Sequence, residues 1–544
     1  MTYLSALLFS LLSTILLLTP LRRFSVALKL VDMPNARKVH QQGIPRIGGI
    51  AMVPAWLCGA LFWVPDSPFK SGLLGAVAIL FVFCVLDDRF ELHYAMKLLG
   101  QLISAVIFVK FSGVTILALP FLSFDLLPFF LSELLTVTVI VAVINAMNLI
   151  DGLDGLAGGT AMIVFCAVAI LAFQANDAGL VIVCVAAIGS LVGFLRYNGH
   201  PAQIFMGDTG SQFLGLVAVA ACLYLTQQAD LSLSPLFPLL LLSVPIVDTG
   251  LVFAKRLYLG HSPFRADKRH IHHRLLDLGL THLQVVVVFY TLQLVIASGA
   301  FLLSHQHDVL LLGYFVVVTL LLTFISSIQK QALLRHCVAR LRACFKSIGG
   351  TRSSTALRRS SFLILNTLVG AALLFFIAGV LLCSPVQSRD VAFLSIILFL
   401  LSIFRLFFQR HWKCYYLDKP INYIAATVVV FCALDLAVDF PSLSRSLFVV
   451  LSSGFLLMLL LNPFTGVRYF RLTPTDLLLI SIVPVVSVIS SFNVPPLYIG
   501  RHISELIMIF FMVEYLSVSQ LLKSITFRTI QSVVFGALAI SLFF

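Results

Sequence analysis

The chain has 544 residues, 60% of them hydrophobic and 11% charged, with a mean hydropathy of +1.05 and a formal net charge of +13. Soluble domains carry roughly 25% charged residues, so this composition excludes a single soluble globule, a disordered chain and a collagen-like one. The basic excess would suggest nucleic acid in a soluble protein, but here it must be read against a bilayer.

Apolar runs are long and unbroken rather than alternating, which selects helices over barrel strands as the spanning elements. The predicted fold is an all-α polytopic membrane protein with spans of roughly 16–22 residues. They fall near 2–20, 47–65, 71–86, 98–112, 131–149, 155–174, 179–195, 211–226, 235–253, 284–304 and 309–327. About seven more follow between 361 and 544, at the same span length. The first run lacks the small-residue cleavage pattern of a signal peptide and reads as the first span. Three regions result: a membrane core over 1–330, a basic connector over 331–360, and a multi-span extension over 361–544 whose short loops carry little chemistry.

With the N-terminus placed outside, 31 of the 36 Lys and Arg fall on inside segments, and only Lys70, Lys110, Arg389, Arg445 and Arg501 stay outside. This bias orients the chain and puts the long loops in the cytoplasm. The charge therefore reports topology and contact with anionic lipid headgroups, and nucleic acid is not an expected partner. The ten cysteines are scattered without a CxxC pair and read as small apolar side chains.

Acids and histidines cluster on the inside loops. A first loop carries Asp32, Asn35, Arg37, Lys38, His40 and Arg46 ahead of Gly48-Gly49. Asp87-Asp88, followed by Glu91, closes the third span. Adjacent carboxylates repel unless a cation offsets them, so the pair points to a divalent ion or to one acid serving as base, against the plainer reading of solvated helix-end charge. Next comes Asn145-x-x-Asn148-x-x-Asp151-Gly152-x-Asp154-Gly155. Polar side chains at every third position slip by about 60° per step on a helix, so the stripe either wraps a ligand or breaks at Gly152. Its glycines would let backbone approach a phosphate or sugar at the start of the following helix. Asp208, between Gly207 and Gly210, is a helix N-cap or, beside the other acids, a ligand for a hard cation such as magnesium. Finally Arg265, Asp267, Lys268, Arg269, His270, His272, His273 and Arg274 read as an anion-binding patch suited to a diphosphate, against the plainer reading of a solvated basic loop. Zinc is disfavoured there because no Cys or second His pair completes a tetrahedral set. The lone acids Asp248, Asp435, Asp476, Glu505 and Glu514 read as interhelical partners or helix-end groups.

Together these motifs resemble the polyprenyl-phosphate N-acetylhexosamine-1-phosphate transferase superfamily. The match lies in DDxxD/E (Asp87, Asp88, Glu91), NxxNxxDGxDGLA (Asn145 to Ala157) and GDxGS (Gly207 to Ser211), with an HIHHRL segment (His270 to Leu275) similar to the bacterial UDP-GlcNAc:undecaprenyl-phosphate branch. The resemblance covers about residues 1–330 and implies an eleven-span core in the bacterial inner membrane with its site facing the cytoplasm. It implies transfer of GlcNAc-1-phosphate from UDP-GlcNAc to undecaprenyl phosphate, releasing UMP and starting a lipid-linked envelope glycan such as an O-antigen or teichoic acid. Mg2+, with Mn2+ as a substitute, would be held by Asp208 with Asn148. Asp87 or Asp88 would orient or deprotonate the lipid phosphate, and Asp151 and Asp154 would face the nucleotide or sugar. Lys38, Arg46, Asn145, Arg265, His270, His272 and His273 would bind substrate, and a homodimer is allowed. Another UDP-N-acetylhexosamine is the alternative donor. A lipid-linked-sugar flippase is the alternative class, disfavoured because the acids sit at one membrane face and no inverted repeat is visible.

Overall fold

The computed structural model describes residues 2–32, 43–117, 127–227, 233–260, 270–304 and 307–327. Lys38, Arg265, the connector 331–360 and the extension 361–544 lie outside the described residues. The elements are α1 (Thr2–Phe24), a short antiparallel pair β1 (Val31–Asp32) and β2 (Ile44–Pro45), α2 (Gly48–Trp63), α3 (Pro68–Phe90), α4 (Tyr94–Ser112) and α5 (Phe129–Ile150). Then follow α6 (Leu156–Gln174), α7 (Ala178–Asn198), α8 (Gly207–Leu225), α9 (Phe237–Leu241), α10 (Ser243–Tyr258), α11 (Ile271–Asp277), α12 (His282–Leu303) and α13 (Asp308–Ser327). Among the described residues, nine helices are long and apolar enough to cross a membrane, and α2 is a shorter apolar helix. A helix occupies each of the eleven spans expected before residue 330, so the all-α polytopic reading holds for this part.

Helix ends follow local chemistry. Ser67 accepts the Lys70 amide with Pro68 at the first turn of α3, Asp177 accepts the Leu180 amide at α7, and Thr281 with Gln284 forms a capping box at α12. One span expected as continuous, 235–253, is broken at Leu242 into α9 and α10. Pro245 has no amide hydrogen to return to Leu241, and the Gln293 side chain of α12 donates to that carbonyl instead (2.8 Å).

The core is built around α8, buried at every position from Thr209 to Leu223. It packs against α2, α3 and α5, while α1 lies on α2 and α7, and α12 on α6. The outer faces carry exposed Leu16, Phe129, Phe130, Val317 and Leu320. Apolar outer faces on long helices suit a hydrocarbon solvent. Because successive long helices run in alternate directions, the end of α3, the start of α4, the end of α5, the start of α6, the end of α7 and the start of α8 gather at one end of the bundle.

Candidate active site

At that end Asp87 and Asp88 occupy the last turn of α3, both buried. Neighbouring residues on a helix point about 100° apart, and the two carboxylates do different things. Asp88 turns to the N-terminus of α8, where Oδ1 accepts the Asp208 amide (2.9 Å) and Oδ2 accepts the Thr209 amide (3.1 Å) and hydroxyl (2.6 Å). It is an N-cap supplied by another helix, opposite the positive end of the α8 dipole. Gly207 permits this approach: its φ is +73°, and a Cβ there would lie 2.6 Å from Asp88 Oδ2. Asp87 accepts the Leu92 amide at Oδ1 (2.9 Å) and the Lys97 ammonium at Oδ2 (2.6 Å). Glu91 ends α3 in a left-handed conformation (φ 51°) and is exposed, outside this cluster.

Lys97, in the first turn of α4, also reaches Asp208 Oδ2 (3.2 Å), so one ammonium joins carboxylates from α3 and α8. Asn148 donates to Asp208 Oδ1 (3.2 Å) and Ser211 Oγ (2.9 Å). That leaves its amide oxygen, the atom a hard cation takes, uncommitted to this pair. One turn deeper, Asn145 exchanges hydrogen bonds with Gln101 (2.7 and 3.3 Å), and Gln101 donates to Gln212 (2.9 Å). Asn145, expected as a substrate contact, joins α5 to α4 and, through Gln101, to α8.

The polar stripe breaks where α5 ends: Asp151 follows Ile150, and its amide returns to the Asn148 carbonyl. Burial, with the Asp208 charge adding to it, pushes the Asp151 carboxyl up to about 7. Asp154 does not share the Asp208 cluster. Its Oδ2 accepts His200 Nδ1 (2.7 Å) and the Ala202 amide (3.1 Å), and its own amide donates to His282 Nε2 (3.0 Å).

The histidine segment starts α11. His270 Nδ1 donates to Asp248 Oδ2 (2.9 Å), and Asp248 Oδ1 accepts the Ile271 amide (2.8 Å). Asp248 is thus the interhelical partner the sequence suggested, and it places the motif. His272 is buried with Nε2 against Gly152, and its two ring nitrogens have no hydrogen-bond partner among the described residues. Burial, then the adjacent His273, pushes its imidazole down to about 3, so the ring is neutral near pH 7. Arg46 is ion-paired with Asp32 beside β2, and its backbone bridges to Phe205.

Sequence reasoning did not single out Lys97, Gln101, His200, His282 or Gln212. Lys97 read only as topology-setting charge, and its signal is its place nine residues after Asp88 (97 − 88) at the start of the next span.

Residues 71–226 match the profile described as glycosyl transferase family 4. A Bacillus subtilis (strain 168) protein described as a probable undecaprenyl-phosphate N-acetylglucosaminyl 1-phosphate transferase is 35% identical over 297 residues, covering 54% of this chain and 82% of its own length. The Escherichia coli (strain K12) undecaprenyl-phosphate alpha-N-acetylglucosaminyl 1-phosphate transferase is 30% identical over 296 residues, 53% of this chain and 80% of that protein. The similarly named Salmonella typhimurium (strain LT2) protein is 30% identical over 319 residues, 57% of this chain and 86% of that protein. With these relatives matched over most of their length, the expected resemblance is borne out, and the chain belongs to glycosyl transferase family 4.

Proposed function

We propose that the chain transfers GlcNAc-1-phosphate from UDP-GlcNAc to undecaprenyl phosphate at the cytoplasmic face of the inner membrane. A lipid-phosphate oxygen attacks the sugar-bearing phosphorus, the bond to the UMP phosphate breaks, and UMP leaves with the bridging oxygen. The observation that carries this reading is the meeting of Asp87 and Asp208, from α3 and α8, on Lys97 at one end of an apolar bundle. One substrate is soluble and the other membrane-held, so a site at a helix-end plane can meet both.

Phosphoryl transfer asks the protein mainly for positioning and charge neutralisation. Asp87 orients the lipid phosphate and takes its proton where one is present. Lys97 neutralises the acid cluster and contacts the diphosphate. Asp151 faces the nucleotide or sugar, and the His272 ring hydrogen-bonds the donor. Asp208, with Asn148, would hold Mg2+ or Mn2+. The Lys97 ammonium beside Asp208 supports the fit, since that carboxylate already accepts a cation. When bound, the metal supplies charge stabilisation for the diphosphate and the leaving UMP. We favour direct attack by the lipid over a covalent phosphosugar on an Asp, because Asp208 is better used toward the cation.

The test uses isolated membranes, undecaprenyl phosphate and a panel of radiolabelled UDP-sugars. Label from UDP-GlcNAc should enter the lipid phase with release of UMP, and preference for another UDP-N-acetylhexosamine would move the donor assignment. Asp208→Asn should lose both activity and Mg2+ affinity, whereas Asp87→Asn should lose activity with Mg2+ binding kept. Equal loss of Mg2+ affinity in both variants would sink that division.

A further inference from the structure

The DGxDG loop, Asp151 to Gly155, is held from outside by elements that the reaction does not otherwise use. Asp154 donates its amide to His282 Nε2 (3.0 Å), and Gly155 donates its amide to Asn198 Oδ1 (2.7 Å). The Gly155 carbonyl accepts the buried Tyr290 hydroxyl (2.6 Å). His282 and Tyr290 both belong to α12, eight positions apart (290 − 282), a little over two turns and so on one face of the helix. The Thr281–Gln284 capping box fixes where that helix begins and therefore where His282 stands. Parallel to the His282 ring at 4.0 Å between centroids lies His200, whose Nδ1 donates to the Asp154 carboxylate (2.7 Å).

Asp154, His200 and His282 bring three possible ligand atoms within 4.8 Å of one another. The His282 Nε2 lone pair is nevertheless already taken by the Asp154 amide, and Asp154 Oδ2 by His200 and Ala202. The arrangement is a hydrogen-bonded clasp, not a vacant ligand set.

We propose that His282 and Tyr290 are positioning residues: α12 clasps the DGxDG loop through them, assisted by the stacked His200, and so sets where Asp151 stands for the nucleotide-sugar. This rests on the transferase reading. Its distinctive consequence is selectivity between substrates. The clasp touches the loop assigned to UDP-GlcNAc and makes no hydrogen bond to Asp87, the residue assigned to the lipid phosphate.

The experiment measures kcat and both KM values for the full chain in detergent micelles with UDP-GlcNAc and undecaprenyl phosphate. His282→Leu removes the acceptor and should raise the KM for UDP-GlcNAc by about tenfold, the scale of one buried amide left unpaired. Its KM for undecaprenyl phosphate should stay within about twofold of wild type on the same scale. His282→Gln, whose uncharged amide oxygen can accept the same hydrogen, should recover most of the loss. Tyr290→Phe, a change too mild to threaten folding, should raise the UDP-GlcNAc KM in the same direction by severalfold. The proposal is overturned if Tyr290→Phe and His282→Leu leave that KM unchanged, if both substrates' KM values rise together, or if Gln is no better than Leu. A wild-type protein that releases no UMP from UDP-GlcNAc would instead overturn the transferase reading beneath it.

Discussion

Asp88 shows what one carboxylate can do for a helix it does not belong to. Its two oxygens take three donors at the start of α8, so Asp88→Asn, which keeps one acceptor and loses the charge, should cost about 1–2 kcal/mol of stability. Thermal unfolding in detergent would show this as a lowered midpoint, whereas Asp87→Asn should cost activity without a comparable shift. Adjacency hid this difference in the sequence: DD reads as one feature until the helix turns its members to different partners. The same limit applies to Asp154 and Asp151, three residues apart and read as equivalent, one clasped by histidines and the other buried near Asp208. Asp208 and Asn148, which the resemblance named together, do meet, through a hydrogen bond of 3.2 Å. Lys97 was not legible, since its two partners come from α3 and α8 and no spacing rule connects them.

Among the elements, contact between α2 and α8 sets the tightest tolerance. A Cβ on Gly49 would fall 2.1 Å from the Gly210 backbone nitrogen, and neither backbone can yield. Gly49→Ala should therefore separate the helices and abolish a cooperative thermal transition. Gly250→Ala, on α10 with open space around it, should leave the midpoint within about 1 kcal/mol equivalent, the scale of helix propensity. Size-exclusion chromatography and thermal scans of the two variants would separate these outcomes. Span positions were readable because hydrophobic length is a strong signal. The break at Leu242 was not read, although Pro245 announced it, because the Gln293 side chain that makes it tolerable comes from α12.

At the scale of the whole molecule, the acidic and histidine motifs among the described residues gather at one end of the helices, as alternating helix directions require. The relatives' match, by contrast, covers 54% of the chain in the Bacillus subtilis case. We expect a chain truncated after residue 345 to retain UMP release, and loss of that activity would assign the extension an essential part in catalysis. The cap formed by Asp88 also carries a consequence for biosynthesis. A chain threaded into the bilayer from its N-terminus delivers α3 long before the ribosome has made α8, and until then this carboxylate has no amides to bind. The acid cluster is completed only when the eighth helix arrives beside the third. On the proposed assignment of that cluster, a half-inserted chain cannot consume nucleotide-sugar, and activity would report that insertion has proceeded at least that far.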